Sequence, residues 1–277
     1  MIDDLRAWLA ARLPVSGIRS LTLLGEGLDN VAYEVNGDVI VRVAKEPDAE
    51  AVQREADLLA ALSGVVPLPV PEPVLADAEA GVLAYTKLPG VPLLGHPVPD
   101  PARLAPVLGE FLSAVHKAGM ESRVPLDAEP LSTWLEDAGA AYEEIADRVP
   151  LEFRAAVEGF LAAAPPAEPR TRTFCHNDLG AEHILVDVEA GRITGVIDWT
   201  DAAITDPTYD LALIYRDLGP EVFDLTLAHY DGTCDRERAL FYARCAVLED
   251  IAYGVTTDGA RVYADAGLAH LPWLFGA

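Results

Sequence analysis

The sequence predicts an α+β fold with two lobes, a small antiparallel sheet followed by a larger helical region. Residues 20–45 alternate apolar and polar side chains as strands do, whereas apolar residues after residues 88–101 recur at helical intervals. Residues 88–101 themselves are rich in proline and glycine, which mark a connection. Because the two patterns occupy separate parts of the chain, we expect an N-terminal lobe of residues 1–88 and a C-terminal lobe of residues 89–277.

The first lobe is predicted to contain a hairpin, a helix and a strand pair. Asn36-Gly37 separates the alternating segments VAYEV and VIVRV, and this dipeptide is a strong hairpin signal. An amphipathic helix is predicted over about residues 49–62, with Glu55 on its apolar stripe. Since charged side chains are rarely buried unless paired, Glu55 is expected either to lie at the edge of that face or to meet a cation inside. The strand pair is predicted around Val74 and over residues 81–87.

The second lobe is predicted to be mostly helical with one short hairpin. Two β-rich runs, HILVD and ITGVID, are separated by the turn-like EAGR and form that hairpin. Helices are predicted over about residues 104–115, 132–147 and 151–163, and in most of the chain after residue 207.

The composition excludes several classes of function. The chain carries 45 acidic and 20 basic side chains, a formal net charge of −25, so its surface repels nucleic acid and anionic lipids. Cationic partners are favoured, although such a charge also suits a soluble protein without one. The first residues are acidic where a signal peptide is basic, and no apolar run approaches the about 18 residues of a membrane span. Three scattered cysteines fit neither a disulfide framework nor a CxxC metal site, so a cytoplasmic location is expected.

Residues 174–212, FCHNDLGAEHILVDVEAGRITGVIDWTDAAITDPTYDLA, carry the most informative pattern. Phosphoryl transfer needs a carboxylate that orients the attacking hydroxyl and groups that hold a metal ion against the phosphates. Asp178, His183 and Asp198 occur in an order that suits a base followed by two metal ligands. Asp206 and Asp210 are expected to brace the catalytic loop by accepting hydrogen bonds from backbone amides.

This segment resembles the catalytic and metal-binding loops of the aminoglycoside phosphotransferase family, whose fold is protein-kinase-like. The family pattern H-x-D-x-x-x-x-N followed by I-D is present as HNDLGAEH and VIDW. The resemblance implies that Asp178 orients the substrate hydroxyl or accepts its proton, and that His183 and Asp198 coordinate Mg²⁺. His183 departs from the usual asparagine, as in the branch that phosphorylates the 2''-hydroxyl of aminoglycosides and in macrolide kinases. Because Mg²⁺ prefers oxygen, His183 is the weaker ligand of the two.

The segment LGEGLDNVAYEV, with Gly25 and Gly27, resembles the loop that covers the phosphates in the same family. In the next strand Ile40 and Arg42 share one face by the period-2 rule. Family members place an apolar residue against the base and, two positions on, a lysine against the phosphates. The resemblance therefore implies that Arg42 contacts phosphate and pairs with Glu55. On the residues alone, the glycines could be turn glycines and Arg42 a solvated residue of an edge strand.

The segment LAYTKLPGVPL resembles the linker whose backbone reads the purine edge of the nucleotide in these kinases. The resemblance implies that backbone from Thr86 through Lys87 to Leu88 does the reading and that Tyr85 limits the depth of the pocket. Either ATP or GTP could be the phosphate donor.

The C-terminal helices are the presumptive acceptor-binding region. The acidic charge suits a cationic acceptor, and the motifs favour an aminoglycoside, hence antibiotic resistance by O-phosphorylation. Candidate contacts are the carboxylates of Asp201, Glu249, Asp250 and Asp258, near the aromatic side chains of Trp199, Tyr253 and Tyr263.

Other functions are compatible with the same motifs. The acceptor could be a macrolide, a cationic peptide antibiotic, or a housekeeping substrate such as choline, homoserine or a sugar. A non-catalytic protein that binds nucleotide is the alternative from another class, because Arg42 and His183 both depart from the family pattern. His116, which follows an apolar helical stripe, is expected to pack or cap rather than to catalyse. The oligomeric state cannot be read from the sequence.

Overall fold

The N-terminal part of the chain forms a five-stranded antiparallel sheet. The computed structural model describes residues 2–27 and 30–276, so Leu28 and Asp29 of the segment LGEGLDNVAYEV lie outside the described residues. The predicted turn is confirmed, because Asn36 and Gly37 have φ values of 56° and 87° and join two paired strands. The strands are β1 (Leu21–Glu26), β2 (Asn30–Val35), β3 (Val39–Ala44), β4 (Pro73–Asp77) and β5 (Val82–Thr86), in the order β1-β2-β3-β5-β4.

The two faces of this sheet belong to different hydrophobic clusters. On one face, Leu9 of the N-terminal helix α1 (Ile2–Ala10) packs with Val41 and Ala84. On the other face, Ile40 and Leu83 join the large core that extends into the rest of the chain. The alternation predicted for β3 is therefore confirmed, and it turns residues 40 and 42 toward the helical part.

Helix α2 (Ala49–Leu62) packs against this inner face of the sheet. It begins at Asp48, whose carboxylate accepts hydrogen bonds from the backbone N–H groups of Glu50 and Ala51, each at 3.0 Å. Leu58 and Leu59 are buried in the large core, and Glu55 is buried on the same side of the helix. The predicted helix is confirmed, and of the two positions expected for Glu55 the structure shows the buried one.

The C-terminal part is mostly helical, as predicted. The helices are α3 (Ala105–Val115), α4 (Leu131–Ile145), α5 (Leu151–Leu161), α6 (Thr208–His229), α7 (Arg236–Thr256) and α8 (Arg261–Phe275). Helix α7 packs against α4, α6 and α8, while α3 packs on α6. Helix α6 is kinked where Gly219, at φ 79°, precedes Pro220.

Two small sheets hold the informative segment against these helices. The predicted hairpin is present as β8 (Ile184–Asp187) and β9 (Arg192–Val196), with β6 (Val91–Pro92) along the other edge of β8. A second pair, β7 (Thr173–Cys175) and β10 (Ala203–Thr205), was not expected from the sequence. Two loops extend from these strands, and we name them by their predicted roles: the catalytic loop, residues 176–183, and the metal loop, residues 197–202.

None of the helices in the described part of the chain combines the length and apolar character needed to cross a bilayer. The proposed boundary between the lobes, between residues 88 and 89, stays a prediction.

Candidate active site

The catalytic loop is held at its start by Asp210, in the first turn of α6. Its two carboxylate oxygens accept hydrogen bonds from the backbone N–H groups of His176 and Asn177, at 3.0 and 2.8 Å. The bracing predicted for Asp210 is therefore confirmed. For Asp206 it was wrong, because that carboxylate accepts from Thr208 N–H at 3.0 Å and contacts the guanidinium of Arg238, which fixes the start of α6 instead.

His116, at the end of α3, contacts the carboxylate of Asp210. It is buried, as expected, and its ring also makes two polar contacts. Its Nε2 lies 2.9 Å from Asp210 Oδ2, and its Nδ1 lies 2.7 Å from the hydroxyl oxygen of Tyr230. Burial opposes the ionisation of Asp210, but His116, His176 and the backbone N–H of Asn177 together lower its pKa, so this carboxylate is ionised.

Two side chains connect the catalytic loop to the metal loop. The imidazole of His176 is fully buried, and its Nε2 donates to the backbone oxygen of Ile197 at 3.0 Å. Burial lowers the pKa of His176 to about 4, so the ring is neutral at pH 7. The amide Nδ2 of Asn177 donates to Asp201 O, at 3.1 Å, and to Asp127 Oδ2, also at 3.1 Å. Nothing in the sequence pattern had singled out Asn177.

The three residues predicted as base and metal ligands lie together. Nδ1 of His183 is 3.3 Å from Asp178 Oδ2, and its Nε2 is 3.8 Å from Asp198 Oδ2. Asp198 has a φ of 60°, an uncommon conformation for a residue that is not glycine and one that concentrates at functional sites.

The charges of this trio are set by burial and by each other. Burial raises the pKa of Asp178 to about 6, against the effect of His183. Burial would lower the pKa of His183, but the carboxylates of Asp178, Glu182 and Asp198 together raise it. Burial likewise opposes ionisation of Asp198, yet Arg42 and His183 hold its pKa below the ordinary value. The carboxyl of Asp178, whose pKa is close to neutral pH, and the ionised carboxylate of Asp198 therefore both lie next to the imidazole of His183.

His183 and Asp198 are the residues that would hold Mg²⁺. Nδ1 of His183 lies 2.7 Å from the backbone oxygen of Asp178, and in the neutral ring that a metal ion requires it would donate to this oxygen and leave the Nε2 lone pair on the side of Asp198. Nε2 and Asp198 Oδ2 are 3.8 Å apart, whereas two adjacent ligands of an octahedral Mg²⁺ are about 3.0 Å apart, so a small movement of either side chain would let one ion contact both.

Arg42 and Glu55 form the pair that the sequence predicted. Nη1 of Arg42 lies 2.7 Å from Glu55 Oε1 and 3.2 Å from Asp198 Oδ1. Nη2 donates to the hydroxyl of Thr200 at 2.7 Å, and that oxygen is also 2.9 Å from Asp198 Oδ1. Although burial opposes its charge, Glu55 and Asp198 raise the pKa of Arg42. Thr200 was missed from the sequence, and its place two residues after Asp198 was the only available signal.

A cavity of about 570 Å³ opens beside this network, between the sheet and the helical part. Of the residues expected around a nucleotide, Gly25, Gly27, Ile40, Arg42, Tyr85, Lys87 and Leu88 line it, as do Asp198, Asp201, Tyr253 and Tyr263.

The linker is placed somewhat differently from the prediction. The backbone N–H groups of Thr86 and Lys87 already donate to Glu72 O and Asp38 O, at 3.0 and 2.8 Å. They are therefore not available to a purine, which leaves Leu88 as the linker residue at the cavity wall whose N–H can serve. Thr86 does not line the cavity, and Glu55 lies behind Arg42.

Several expected acceptor contacts lie elsewhere. Trp199 is fully buried and stacks on Phe174, so it cannot meet an acceptor. Asp258 lines a different cavity, beside Arg148 and Arg261. Both were wrong as acceptor contacts.

Asp201 lines the cavity, but Glu249 and Asp250 do not. Asp250 is paired with Arg216 at 2.9 Å, and neither it nor Glu249 lines the cavity. Burial, reinforced by Asp137, raises the pKa of Glu249 to about 7.

The sequence matches those of phosphotransferases. The model of a family described as the phosphotransferase enzyme family matches residues 20–242. Viomycin phosphotransferase of Streptomyces vinaceus is 28% identical over 235 residues, which is 75% of this chain and 82% of that protein. Aminoglycoside 3'-phosphotransferase of Streptomyces fradiae is 30% identical over 193 residues, which is 63% of this chain and 71% of that protein.

The fold matches solved structures over almost the whole chain. The GDP and kanamycin complex of APH(2'')-IIIa superimposes with a TM-score of 0.72 at 23% identity and covers 97% of both chains. Macrolide 2'-phosphotransferase MphH from Brachybacterium faecium superimposes with a TM-score of 0.65 at 25% identity and again covers 97% of both chains. The protein-kinase-like fold expected from the sequence is thereby confirmed.

Proposed function

The chain belongs to the phosphotransferase enzyme family, and from this premise we propose that it transfers the γ-phosphate of ATP or GTP to a hydroxyl of a cationic small molecule. An aminoglycoside is the favoured acceptor, and the reaction depends on Mg²⁺. The observation that carries the proposal is that Asp178 and Asp198 approach the same imidazole, His183, at the edge of a cavity large enough for a nucleotide.

Asp178 is proposed to orient the acceptor hydroxyl and to take its proton. Its Oδ2 lies against His183 Nδ1, and the catalytic loop that carries it is fixed by Asp210. A base in a rigid, partly dehydrated site needs little reorganisation as the proton moves. His183 and Asp198 would hold the Mg²⁺, which neutralises charge on the transferred phosphate.

Arg42 is proposed to contact the α- and β-phosphates while Glu55 holds it in place. The ion pair of 2.7 Å is buried, so the guanidinium has a fixed position before the nucleotide arrives. Leu88 N–H is proposed to read the purine edge, with Ile40 against the base and Tyr85 at the back of the pocket.

A cationic acceptor is supported by residues of the cavity wall and by the charge of the chain. Asp201, Tyr253 and Tyr263 line the cavity, and the whole chain has a net charge of −25. Carboxylates attract ammonium groups, and the faces of tyrosine rings add a cation–π contribution.

A cationic peptide antibiotic is the second candidate acceptor. It is favoured by the likeness to viomycin phosphotransferase, which at 28% identity extends over 82% of that protein. A panel that contains kanamycin, viomycin, a macrolide, choline and homoserine, assayed with ATP and with GTP, discriminates among these acceptors. The gain of one phosphoryl group in the mass of a single class of acceptor identifies the substrate.

The substitution Asp178→Asn tests the proposed mechanism. Because the amide cannot accept the proton, we expect kcat to fall by about 10²- to 10⁴-fold while the nucleotide affinity measured by calorimetry stays within about twofold. Asp147→Asn, at an exposed position after α4, is the matched control and should leave kcat unchanged. Undiminished transfer by Asp178→Asn would exclude Asp178 as the base. A wild type inert toward the whole panel with either nucleotide would support a non-catalytic protein.

A further inference from the structure

Arg216, on α6, is a buried cation that the proposed mechanism does not use. Its side chain is 5% exposed and is surrounded by three carboxylates. Nε lies 2.6 Å from Asp217 Oδ1 and Nη2 lies 2.9 Å from Asp217 Oδ2, which is a bidentate pair. Nη1 lies 2.9 Å from Asp250 on α7, and Nη2 lies 3.5 Å from Glu182 in the catalytic loop. The guanidinium therefore fixes the Asp217 carboxylate and connects α6 with α7 and the catalytic loop.

Asp217 contacts the catalytic loop directly. Its Oδ2 accepts a hydrogen bond from the backbone N–H of Ala181 at 2.7 Å, and the carbonyl oxygen of Ala181 accepts one from Leu94 N–H at 3.0 Å. Ala181 is thus held on both sides of its backbone. It lies between Asp178 and His183, in the turn where His183 N–H donates to Gly180 O at 3.0 Å.

The loop backbone lies directly against the Arg216 side chain. A Cβ atom added at Gly180 would come within 2.6 Å of Arg216 Nη2 and would also overlap the Glu182 carboxylate. A larger residue at position 180 would therefore require the ends of both side chains to shift. The glycine of HNDLGAEH therefore has a steric reason that the sequence alone did not reveal.

Two carboxylates of α6 hold the two ends of the catalytic loop. Asp210 accepts from the backbone N–H groups of His176 and Asn177, and Asp217 accepts from that of Ala181. Positions 210 and 217 are about two helical turns apart, so both side chains project from one face of α6. Asp178 lies between the two points of attachment.

We propose that Asp217 is a positioning residue for Asp178 and His183, and that Arg216 holds the Asp217 carboxylate in the geometry this requires. The proposal rests on the proposed phosphoryl transfer. Asp210 holds the backbone just before Asp178 and Asp217 holds it three residues after, so the two contacts together fix the direction in which the Asp178 carboxylate points.

Two substitutions and one control test the proposal. Asp217→Ala removes both the acceptor for Ala181 N–H and the partner of Arg216. Asp217→Asn keeps one oxygen, which in the place of Oδ2 can still accept from Ala181 N–H and from Arg216 Nη2, but its amide nitrogen then replaces Oδ1, the acceptor of Arg216 Nε. Asp224→Ala is the matched control, because Asp224 lies further along α6 in an exposed ion pair of 2.6 Å with Arg236.

The expected result is a loss of kcat without a loss of nucleotide binding. With the acceptor that the wild type phosphorylates, we expect kcat of Asp217→Ala to fall by about tenfold to a hundredfold, and that of Asp217→Asn by less. The KM for the nucleotide should stay within about twofold, and Asp224→Ala should match the wild type. A structural defect alone would lower the active fraction and the unfolding temperature, so active-site titration and thermal unfolding accompany the kinetics.

Amide exchange in the wild type provides a readout that needs neither variant nor acceptor. The N–H of Ala181 should exchange only with global unfolding. Fast exchange at Ala181 overturns the proposal, and so does a folded Asp217→Ala whose kcat is within twofold of the wild type. If the wild type phosphorylates no acceptor, the proposed function fails, while a protected Ala181 N–H would still support the attachment.

Discussion

Arg42 joins the two halves of the site through more contacts than the lysine usual in this family could make. Its Nη1 contacts Glu55 and Asp198, and its Nη2 contacts Thr200. A guanidinium presents five N–H donors in a planar fork, whereas a lysine has a single ammonium group on a shorter side chain. The threonine hydroxyl at position 200 is therefore the partner that makes an arginine suitable here.

The substitution Arg42→Lys tests this reading. We expect the KM for the nucleotide to rise by about tenfold, because a charge-assisted hydrogen bond is lost while the charge itself remains. Arg192→Lys, which alters an exposed ion pair of 3.6 Å with Asp187, serves as the control and should have no effect. Tighter nucleotide binding by Arg42→Lys would contradict the role given to Thr200.

Glu249 makes stability depend on pH. Burial and the nearby Asp137 raise its pKa to about 7, while Arg216 opposes that shift and Glu129 adds to it. The protonated form is favoured in the folded state, so this contribution to stability is complete below the ordinary value, about 4.3, and is lost as the pH rises through about 7.

The variant Glu249→Gln cannot ionise and should escape this loss. We expect its free energy of unfolding, relative to the wild type, to increase by about 1–3 kcal/mol between pH 5 and pH 8. Urea denaturation at both pH values measures the difference. Glu143→Gln, at an exposed position of α4, controls for the change in net charge. A difference that is the same at both pH values would show that the carboxyl of Glu249 is not protonated in the fold.

At the scale of elements, the close approach of α7 and α8 forms the aromatic side of the cavity. Gly254 of α7 faces Ala264 of α8, and a Cβ atom at position 254 would come within 2.7 Å of the Ala264 Cβ. This packing brings Tyr253 and Tyr263 into an edge-to-face contact, with ring centroids 5.1 Å apart.

The substitution Gly254→Ala should push the two helices apart. We expect a loss of about 1–3 kcal/mol in the free energy of unfolding, and a higher KM for the acceptor with an unchanged KM for the nucleotide. Gly139→Ala, where nothing lies within 4 Å on α4, is the matched control and should be neutral or stabilising by up to about 1 kcal/mol. Equal effects of the two variants on the acceptor KM would contradict this account.

For the molecule as a whole, the net charge of −25 attracts or repels a charged ligand before it reaches the site. A cationic acceptor is attracted and an anionic nucleotide is repelled, so added salt should affect the two ligands in opposite directions. The Debye length falls from about 30 Å at 0.01 M to about 3 Å at 1 M salt.

Steady-state kinetics across this range of salt test the effect. The KM for the cationic acceptor should rise by about tenfold or more, while the KM for the nucleotide, at constant free Mg²⁺, should stay level or fall. An acceptor KM that does not change with salt would show that the charge of the protein does not contribute to acceptor capture.

Local sequence patterns were enough to predict most of the helices and strands, and the residues proposed for catalysis and metal binding. The alternation in β3 placed Ile40 and Arg42 on one face, and Asn36-Gly37 specified the hairpin turn. Both are local patterns, fixed by backbone geometry over a few residues. The catalytic segment was recognisable because Asp178 and His183 belong to one short loop.

Long-range packing brings in the side chains that complete the site. Thr200 meets Arg42 from 158 positions away, and Asp217 meets Ala181 from 36, and no local periodicity encodes such pairs. No local pattern predicts the burial of Trp199 either, because its stacking on Phe174 depends on how the small sheets pack together. Strands as short as β7 and β10 carry too few residues for a pattern. Their pairing, and the geometry of the loops they support, is set by packing between distant parts of the chain.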